Sequence, residues 1–199
     1  MASLETVRRR LGPTLTGPIV PLLVKAGITP NALTWLGLLV SVAAGVLAAL
    51  GATLAAGIVV AAGGLFDTLD GALARSTGRV TRFGGILDST LDRAGEAAVM
   101  AGILVLFARQ GNVAGVAVAA VVWALAMLVS YLRARAEAAG LECKVGLFTR
   151  PERVLALALG LLLGRITNAL LVVLSAMAVL SAVTVVQRLH TVWRQTRGA

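Results

Sequence analysis

The sequence predicts an all-α integral membrane protein, six transmembrane helices preceded by an amphipathic interfacial N-terminal helix, and three observations carry that prediction. At 58% hydrophobic residues and a mean hydropathy of +0.92, a chain of 199 residues is far too apolar for a soluble domain. Its apolar residues fall in runs long enough to cross a bilayer. Its charges alternate from loop to loop. All of the 18 Lys and Arg except Arg109 and Arg165 lie in the N-terminal tail, the second and fourth loops, the C-terminal tail or the helix ends facing them. Under the positive-inside rule both termini are cytoplasmic, which requires an even number of spans in the cell membrane.

Residues 1–30 form the interfacial segment. Leu4, Val7 and Leu11 recur at helical spacing with Arg8, Arg9 and Arg10 between them, as in a helix lying on the membrane surface. The arginines lead into GPTLTGP rather than an apolar core, so no signal peptide is expected. Pro13, Pro18, Pro21 and Pro30 are expected to break the chain after that helix. The spans are then 32–50, 54–74, 84–108, 113–132, 151–164 and 166–186, all in one membrane domain covering 1–199. The fifth is the shortest: a helix from Pro151 to Gly164 covers roughly 21 Å.

The second and third spans hold an unusual concentration of acid. DTLDGALARSTGRVTRFGGILDSTLD, residues 67–92, carries four carboxylates in a chain with nine acidic residues. Asp67 and Asp70 are three apart, and Asp88 and Asp92 four apart, so each pair shares a helix face. If one helix ends near Arg75 and the next begins near Phe83, the two pairs lie at matching depth. Ionisable groups at such positions cost several kcal/mol or more unless paired, hydrated or bound to metal. Four converging carboxylates describe a site for Mg²⁺ or Mn²⁺, with room for two ions bridged by phosphate oxygens. Gly71 and Gly84 leave space beside them for a neighbouring backbone or a bulky ligand.

Asp67, Asp70, Gly71, Ala74, Arg75, Gly84, Asp88 and Asp92 carry a resemblance at this point. Two Asp separated by two residues, Gly, two residues, Ala-Arg, eight residues, Gly, three residues, Asp, three residues, Asp is similar to the signature of the CDP-alcohol phosphatidyltransferases, and every fixed position matches. The six-span layout and the amphipathic first helix resemble that family too. The resemblance implies transfer of a substituted phosphate from a CDP-linked donor, usually CDP-diacylglycerol, to an alcohol, with release of CMP. It implies that Asp67, Asp70, Asp88 and Asp92 hold the metal, that Asp92 is also the general base, and that Gly71, Arg75 and Thr81 contact the CDP moiety. Asn31 and Thr34 in TPNALT are expected to join them. A guanidinium at Arg75 has its own physical case, since it binds two diphosphate oxygens at once. A homodimer is expected by the same likeness, and no nucleic-acid partner.

The fourth loop, SYLRARAEAAGLECKVGLFTRPER, resembles the corresponding tract of phosphatidylinositol phosphate synthases. That likeness implies a phosphorylated polyol acceptor, inositol phosphate, bound by Arg133, Arg150, Arg153 and Arg188. A glycerol 3-phosphate acceptor, as in phosphatidylglycerophosphate synthases, would need cations as well. A divalent-cation transporter also fits four intramembrane carboxylates, but it needs access from both faces and has no use for Arg75 and two glycines beside them. Glu96 is expected to pair with Arg93 or Arg133. Arg79 and Arg82 read as interfacial anchors, Trp35, Trp123 and Trp193 as anchors or packing, Cys143 as unreactive filler and His190 as a surface residue.

Overall fold

The computed structural model describes residues 16–166 and 168–197, and the expected interfacial helix around Leu4–Leu11 therefore lies outside the described residues. Among the described residues the chain is wholly helical: α1 (Val20–Lys25), α2 (Pro30–Ala49), α3 (Thr53–Ser76), α4 (Arg82–Arg109), α5 (Val113–Ala138), α6 (Arg150–Leu162) and α7 (Ala169–Arg197).

Two prolines expected to break structure begin it instead. Pro21 and Pro30 sit in the first turns of α1 and α2, where the missing N–H has no intrahelical partner to lose and the fixed φ already suits a helix. Side-chain caps set other starts. Thr29 Oγ1 accepts from Ala32 N at 3.3 Å, Thr81 Oγ1 from Gly84 N at 2.9 Å, and Thr149 shares a capping box with Glu152, whose Oε2 accepts from Thr149 N at 2.9 Å. Gly78 follows α3 at φ +64°, a left-handed position that stops the helix at no Cβ cost.

Four helices, α2, α3, α5 and α7, are long and apolar enough to cross a membrane. The 28-residue α4 is longer than most of them but carries Asp88, Asp92, Arg93 and Glu96 in its first half. At 13 residues, α6 is shorter than a hydrocarbon core is thick. The first nevertheless runs between the two ends of the bundle, and the second runs from beside Asp67 of α3 to the end marked by Gly164. At one end Arg109 Nη1 donates to Ala49 O at 2.8 Å, and the start of α3 (Thr53), end of α4 (Phe107), start of α5 (Asn112), turn after α6 (Gly164) and start of α7 (Leu170) line one cavity. The other end gathers Thr34 of α2, Asp70 of α3, Asp92 of α4, Arg150 of α6 and Arg188 of α7.

Glycine sets the closest helix contacts. A Cβ on Gly102 of α4 would fall 2.0 Å from Gly45 O of α2, and one on Gly45 would fall 2.3 Å from Ala98 O. These two backbones touch only because neither residue has a side chain. Gly57 admits α6 to α3 in the same way, with Leu162 N 2.7 Å from where a Cβ would lie. The core between them holds Met100, Ile103, Val122, Leu161, Leu174 and Met177.

The helices depart from the bounds of the expected spans at three ends. The fourth helix continues to Ala138, not residue 132, and the last begins at Ala169, not residue 166, and runs on to Arg197, past residue 186. Hydropathy marks where apolar side chains stop, but a helix needs no lipid to continue. Arg133, Arg135 and Glu137 extend α5, and Gln187, Arg188, Leu189, Arg194, Gln195 and Arg197 supply good helix formers to the extension of α7.

Candidate active site

The acidic residues meet at one end of the bundle, on α3 and α4. Asp92 is within electrostatic reach of Asp67 and Asp88, and Asp70 of the same two, so all four expected carboxylates share one field. Asp70 is buried; Asp67 and Asp92 are 21% and 11% exposed. A narrow cleft with about 50 Å³ of room for water-sized groups passes between Asp67, Asp92, Thr34, Ser41, Gly63 and Arg150.

On one flank the contacts are neutral. Thr34 Oγ1 of α2 lies 3.1 Å from Asp70 Oδ2 and 3.1 Å from Pro30 O, and the backbone N–H of Gly71 donates to Asp70 Oδ1. A Cβ on Gly71 would meet Arg75 Nη1 at 3.2 Å, so the exposed guanidinium lies over the glycine. A Cβ on Gly84 would lie 3.0 Å from Thr81 Oγ1 and 3.5 Å from Asn31 Oδ1. Asn31, Thr34, Gly71, Arg75 and Thr81, expected from TPNALT and the signature, thus fall along one rim where α2, α3 and α4 meet.

The other flank is built of arginine. Arg150, the first residue of α6, spans two of the carboxylates: Nη1 to Asp67 Oδ2 at 2.6 Å and Nη2 to Asp92 Oδ1 at 2.6 Å. Its Nε is buried without a partner. One turn on, Arg153 forks onto Glu96 of α4, Nε to Oε1 at 2.7 Å and Nη2 to Oε2 at 3.0 Å. This corrects the sequence-based expectation that Glu96 pairs with Arg93 or Arg133. Arg93 turns back to Ser89 O at 2.6 Å and Asp92 at 3.5 Å, and Arg133 takes Glu137, four residues on, at 2.8 Å. The reason is geometric: Arg153 is 1% exposed, and a buried guanidinium must find a bidentate acceptor in its own layer. Arg188 of α7 is also buried. It donates from Nε to Val145 O at 2.9 Å and from Nη1 to Val129 O, and lies in the field of Arg133 and Arg153.

Sequence reasoning missed how this flank is held. The loop 139–149 is fastened along α7: Gln195 exchanges hydrogen bonds with the backbone of Glu142 (3.2 and 2.7 Å), Gln187 Oε1 accepts from Leu147 N at 3.0 Å, and Thr184 Oγ1 accepts from Phe148 N at 3.0 Å. Gly146, at φ +152° with a Cβ position 2.8 Å from Thr184 Cγ2, permits the close approach. The strap sets α6 deep. Asp67 lies about 14 Å along α3 from its last residue, Ser76, and Arg150 meets it there, so α6 is short because it starts below the rim.

Comparison with known proteins gives the arrangement a place. The profile of the CDP-alcohol phosphatidyltransferases matches residues 27–193. The chain belongs to that family. The phosphatidylinositol phosphate synthase of Mycobacterium tuberculosis is 38% identical over 200 residues, 97% of this chain and 92% of its own length. The archaetidylinositol phosphate synthase of Methanothermobacter thermautotrophicus is 34% identical, covering 97% of each chain. The crystal structure of the M. tuberculosis enzyme with CDP-DAG bound superimposes with a TM-score of 0.84 at 39% identity, over 90% of this chain and 94% of that one. Its complex with manganese and citrate gives 0.81 at 39% identity, over 89% and 88%. The chain is accordingly a membrane-embedded transferase of phospholipid biosynthesis.

The donor set suits a divalent metal in kind: carboxylates only, with no sulfur or imidazole at the site. Among the described residues, however, no three acidic, His or Cys side chains converge into a finished cage. Asp67 and Asp92 face one another across the Arg150 guanidinium instead. His190, by contrast, stacks on Trp193 (5.9 Å) at the exposed end of α7, and Cys143 is a buried loop residue.

Proposed function

We propose that the enzyme transfers the phosphatidyl group of CDP-diacylglycerol, or the corresponding group of an analogous CDP-lipid, to a hydroxyl of inositol phosphate. The observation that carries this reading is the contrast between Asp70, met by Thr34 and the Gly71 N–H, and Asp67 and Asp92, bridged by Arg150 with the buried Arg153 and Arg188 behind it; Arg133, Arg150, Arg153 and Arg188 would face the acceptor. A phosphorylated acceptor brings about two negative charges to an acidic site, and only cations beyond the carboxylates can receive it. Relatives named for inositol phosphate products support the same acceptor.

Asp67, Asp70, Asp88 and Asp92 would hold one or two divalent ions, Mg²⁺ or Mn²⁺, which supply charge neutralisation for the diphosphate and its leaving group. Asn31, Thr34, Gly71, Arg75 and Thr81 line the donor's approach. Arg75, at the open end of α3, orients the diphosphate so that the lipid-bearing phosphorus faces the acceptor. The acceptor oxygen attacks that phosphorus, the bond to the CMP oxygen breaks, and the hydroxyl proton passes to the carboxylate of Asp92. CMP leaves with the electron pair.

The same proposal includes six spans, α2 to α7, in a single domain covering 1–199, with an interfacial N-terminal helix and the acidic end facing the cytoplasm. The end-to-end course of α4 and the placing of Arg109 and Arg165 at the end where α6 finishes support it. In sealed right-side-out vesicles, tags at either terminus should be protected and a cysteine at position 112 should label from outside; termini on opposite sides would remove a span. For the reaction, CMP release from CDP-diacylglycerol by purified protein should be strong with inositol phosphate and weak with inositol or serine. Equal use of unphosphorylated acceptors would overturn the reading. A clear preference for glycerol 3-phosphate would keep the pocket and change the acceptor.

A further inference from the structure

Among the described residues, Arg150 is the one cation whose ion pairs join two of the four carboxylates, Asp67 on α3 and Asp92 on α4. Its two terminal nitrogens are 2.6 Å from Asp67 Oδ2 and 2.6 Å from Asp92 Oδ1, oxygens on carboxylates that the proposed function gives to the metal. A guanidinium and a dication cannot both hold these oxygens at full strength, because each demands the same lone pairs and the two cations repel at contact distance. The Nε is buried with no acceptor, so this side chain has unmet donor capacity next to a cleft it lines. Its own backbone is fixed: Arg150 opens α6, held by the Thr149–Glu152 capping box and by the strap from Thr184 and Gln187. Its flexible stem is therefore what moves. Arg153, one turn on, cannot bridge the same carboxylates, since its Nε and Nη2 are held by Glu96.

We propose that Arg150 is a displaceable counter-ion: it bridges Asp67 and Asp92 until a divalent ion takes those oxygens, and the released guanidinium then receives the phosphate of the acceptor. Metal and acceptor binding are thereby coupled, each favouring the other through one side chain, and reciprocity is required by linkage. The order has a use. While Arg150 spans the two carboxylates, Asp92 is engaged and the acceptor lacks one of its cations, so an acceptor entering before the metal finds an incomplete site. This inference rests on the metal assignment of the proposed function but not on the identity of the acceptor.

The test is Mn²⁺ binding, read by electron paramagnetic resonance of the free ion, on full-length protein in nanodiscs without donor. Wild-type protein should bind Mn²⁺ about tenfold more tightly when inositol phosphate or glycerol 3-phosphate is saturating, a coupling of ordinary size for linked sites. Arg150→Gln should bind Mn²⁺ about tenfold more tightly than wild type without any acceptor, and the acceptor should shift that affinity less than about twofold, because the competitor and the link are both gone. Arg150→Met removes the charge and every donor while keeping an unbranched apolar stem, so it too should bind Mn²⁺ more tightly than wild type; it serves if the glutamine variant fails to fold. Mn²⁺ affinity in these variants equal to or weaker than wild type, or an acceptor-induced shift as large in Arg150→Gln as in wild type, overturns the proposal. Failure of Mn²⁺ to bind wild-type protein at all would instead remove the metal assignment itself.

Discussion

Asp70 and Asp92 belong to one acidic cluster and carry the same formal charge, yet they are held in opposite ways. Asp70 is met by a hydroxyl and a backbone N–H, from Thr34 and Gly71, with a glycine-opened rim beside it. Asp92 is met by two guanidinium groups, from Arg150 and Arg93, with a second buried ion pair, Glu96–Arg153, one turn below. The neutral flank leaves its negative charge for incoming cations to offset, as a site for an anionic diphosphate with metal requires. The arginine flank arrives already balanced. In the proposed function the first side would take the metal with the diphosphate and the second would give up its arginine to the acceptor phosphate, and the difference lies in what packs against each carboxylate.

Removing a carboxylate from either flank should have the largest effect. Asp67→Asn, Asp70→Asn, Asp88→Asn and Asp92→Asn should each lower turnover by about a hundredfold or more, since one charge is lost where negative charge develops on the leaving group. The flanks should separate in kind. Asp92→Asn should still bind CDP-diacylglycerol with Mn²⁺ while failing at transfer, whereas Asp70→Asn should lose the metal-dependent donor binding. Wild-type turnover by Asp92→Asn would break the comparison at its centre.

Next in size is the buried pair on the arginine flank. Arg153→Ala leaves Glu96 charged and unpartnered and should cost about 3–5 kcal/mol of stability, as for other buried pairs cut on one side. It should show as a lower melting temperature in detergent as well as a raised acceptor KM. Replacing both residues with apolar ones should recover much of the stability but not the KM. If Arg153→Ala melts like wild type, the Glu96 contact is not what holds α6 against α4.

How legible each flank was in the sequence depends on chain distance. The neutral flank lies within 67–92 plus one short segment, TPNALT; spacing pairs its carboxylates, and the likeness to the family signature points to Asn31, Thr34, Gly71, Arg75 and Thr81 beside them. The glycines that let Gly45 meet Gly102 were readable only as an abundance, because helix crossing points leave no local trace. On the arginine flank the pairings that join α6 to α3 and α4 are long range. Glu96 and Arg153 stand 57 positions apart in the chain, and nothing at either residue distinguishes Arg153 from Arg93 or Arg133 as the partner. The strap was invisible for the same reason: Gln187 and Gln195 read as an ordinary polar tail once the apolar run ended. Thr149-Arg150-Pro151-Glu152 is the exception, since a Thr followed three residues later by Glu, with Pro between, marks a helix start.

A third contrast sets Arg75 against Arg188. Arg75→Ala should raise the KM for CDP-diacylglycerol, and Arg188→Ala the KM for the acceptor, each by roughly tenfold or more for a charge-assisted contact of about 1.5–3 kcal/mol. Arg188 also ties the strap to α5 through Val145 O and Val129 O, so its loss should carry a fall in melting temperature that Arg75→Ala does not. Equal effects of either variant on both substrates would mean that the flanks are not separate.

The smallest effect is expected at Thr34, and it bears most directly on why the donor flank is neutral. Its hydroxyl proton has two acceptors at the same 3.1 Å, Pro30 O and Asp70 Oδ2. Bonding to the carbonyl costs Asp70 a donor, and bonding to the carboxylate steadies the rotamer from which Asp70 would reach a metal. Thr34→Val keeps the shape and the β-branch but removes the proton, so the loss should be that of one hydrogen bond, about 1 kcal/mol or roughly fivefold. It should fall on the donor KM and on the Mn²⁺ concentration needed for half-maximal rate, with the acceptor KM unmoved and Thr34→Ser close to wild type. A Thr34→Val enzyme whose acceptor KM rises as much as its donor KM would show that Asp70 serves both substrates, and the division between a neutral donor side and a charged acceptor side would have to be abandoned.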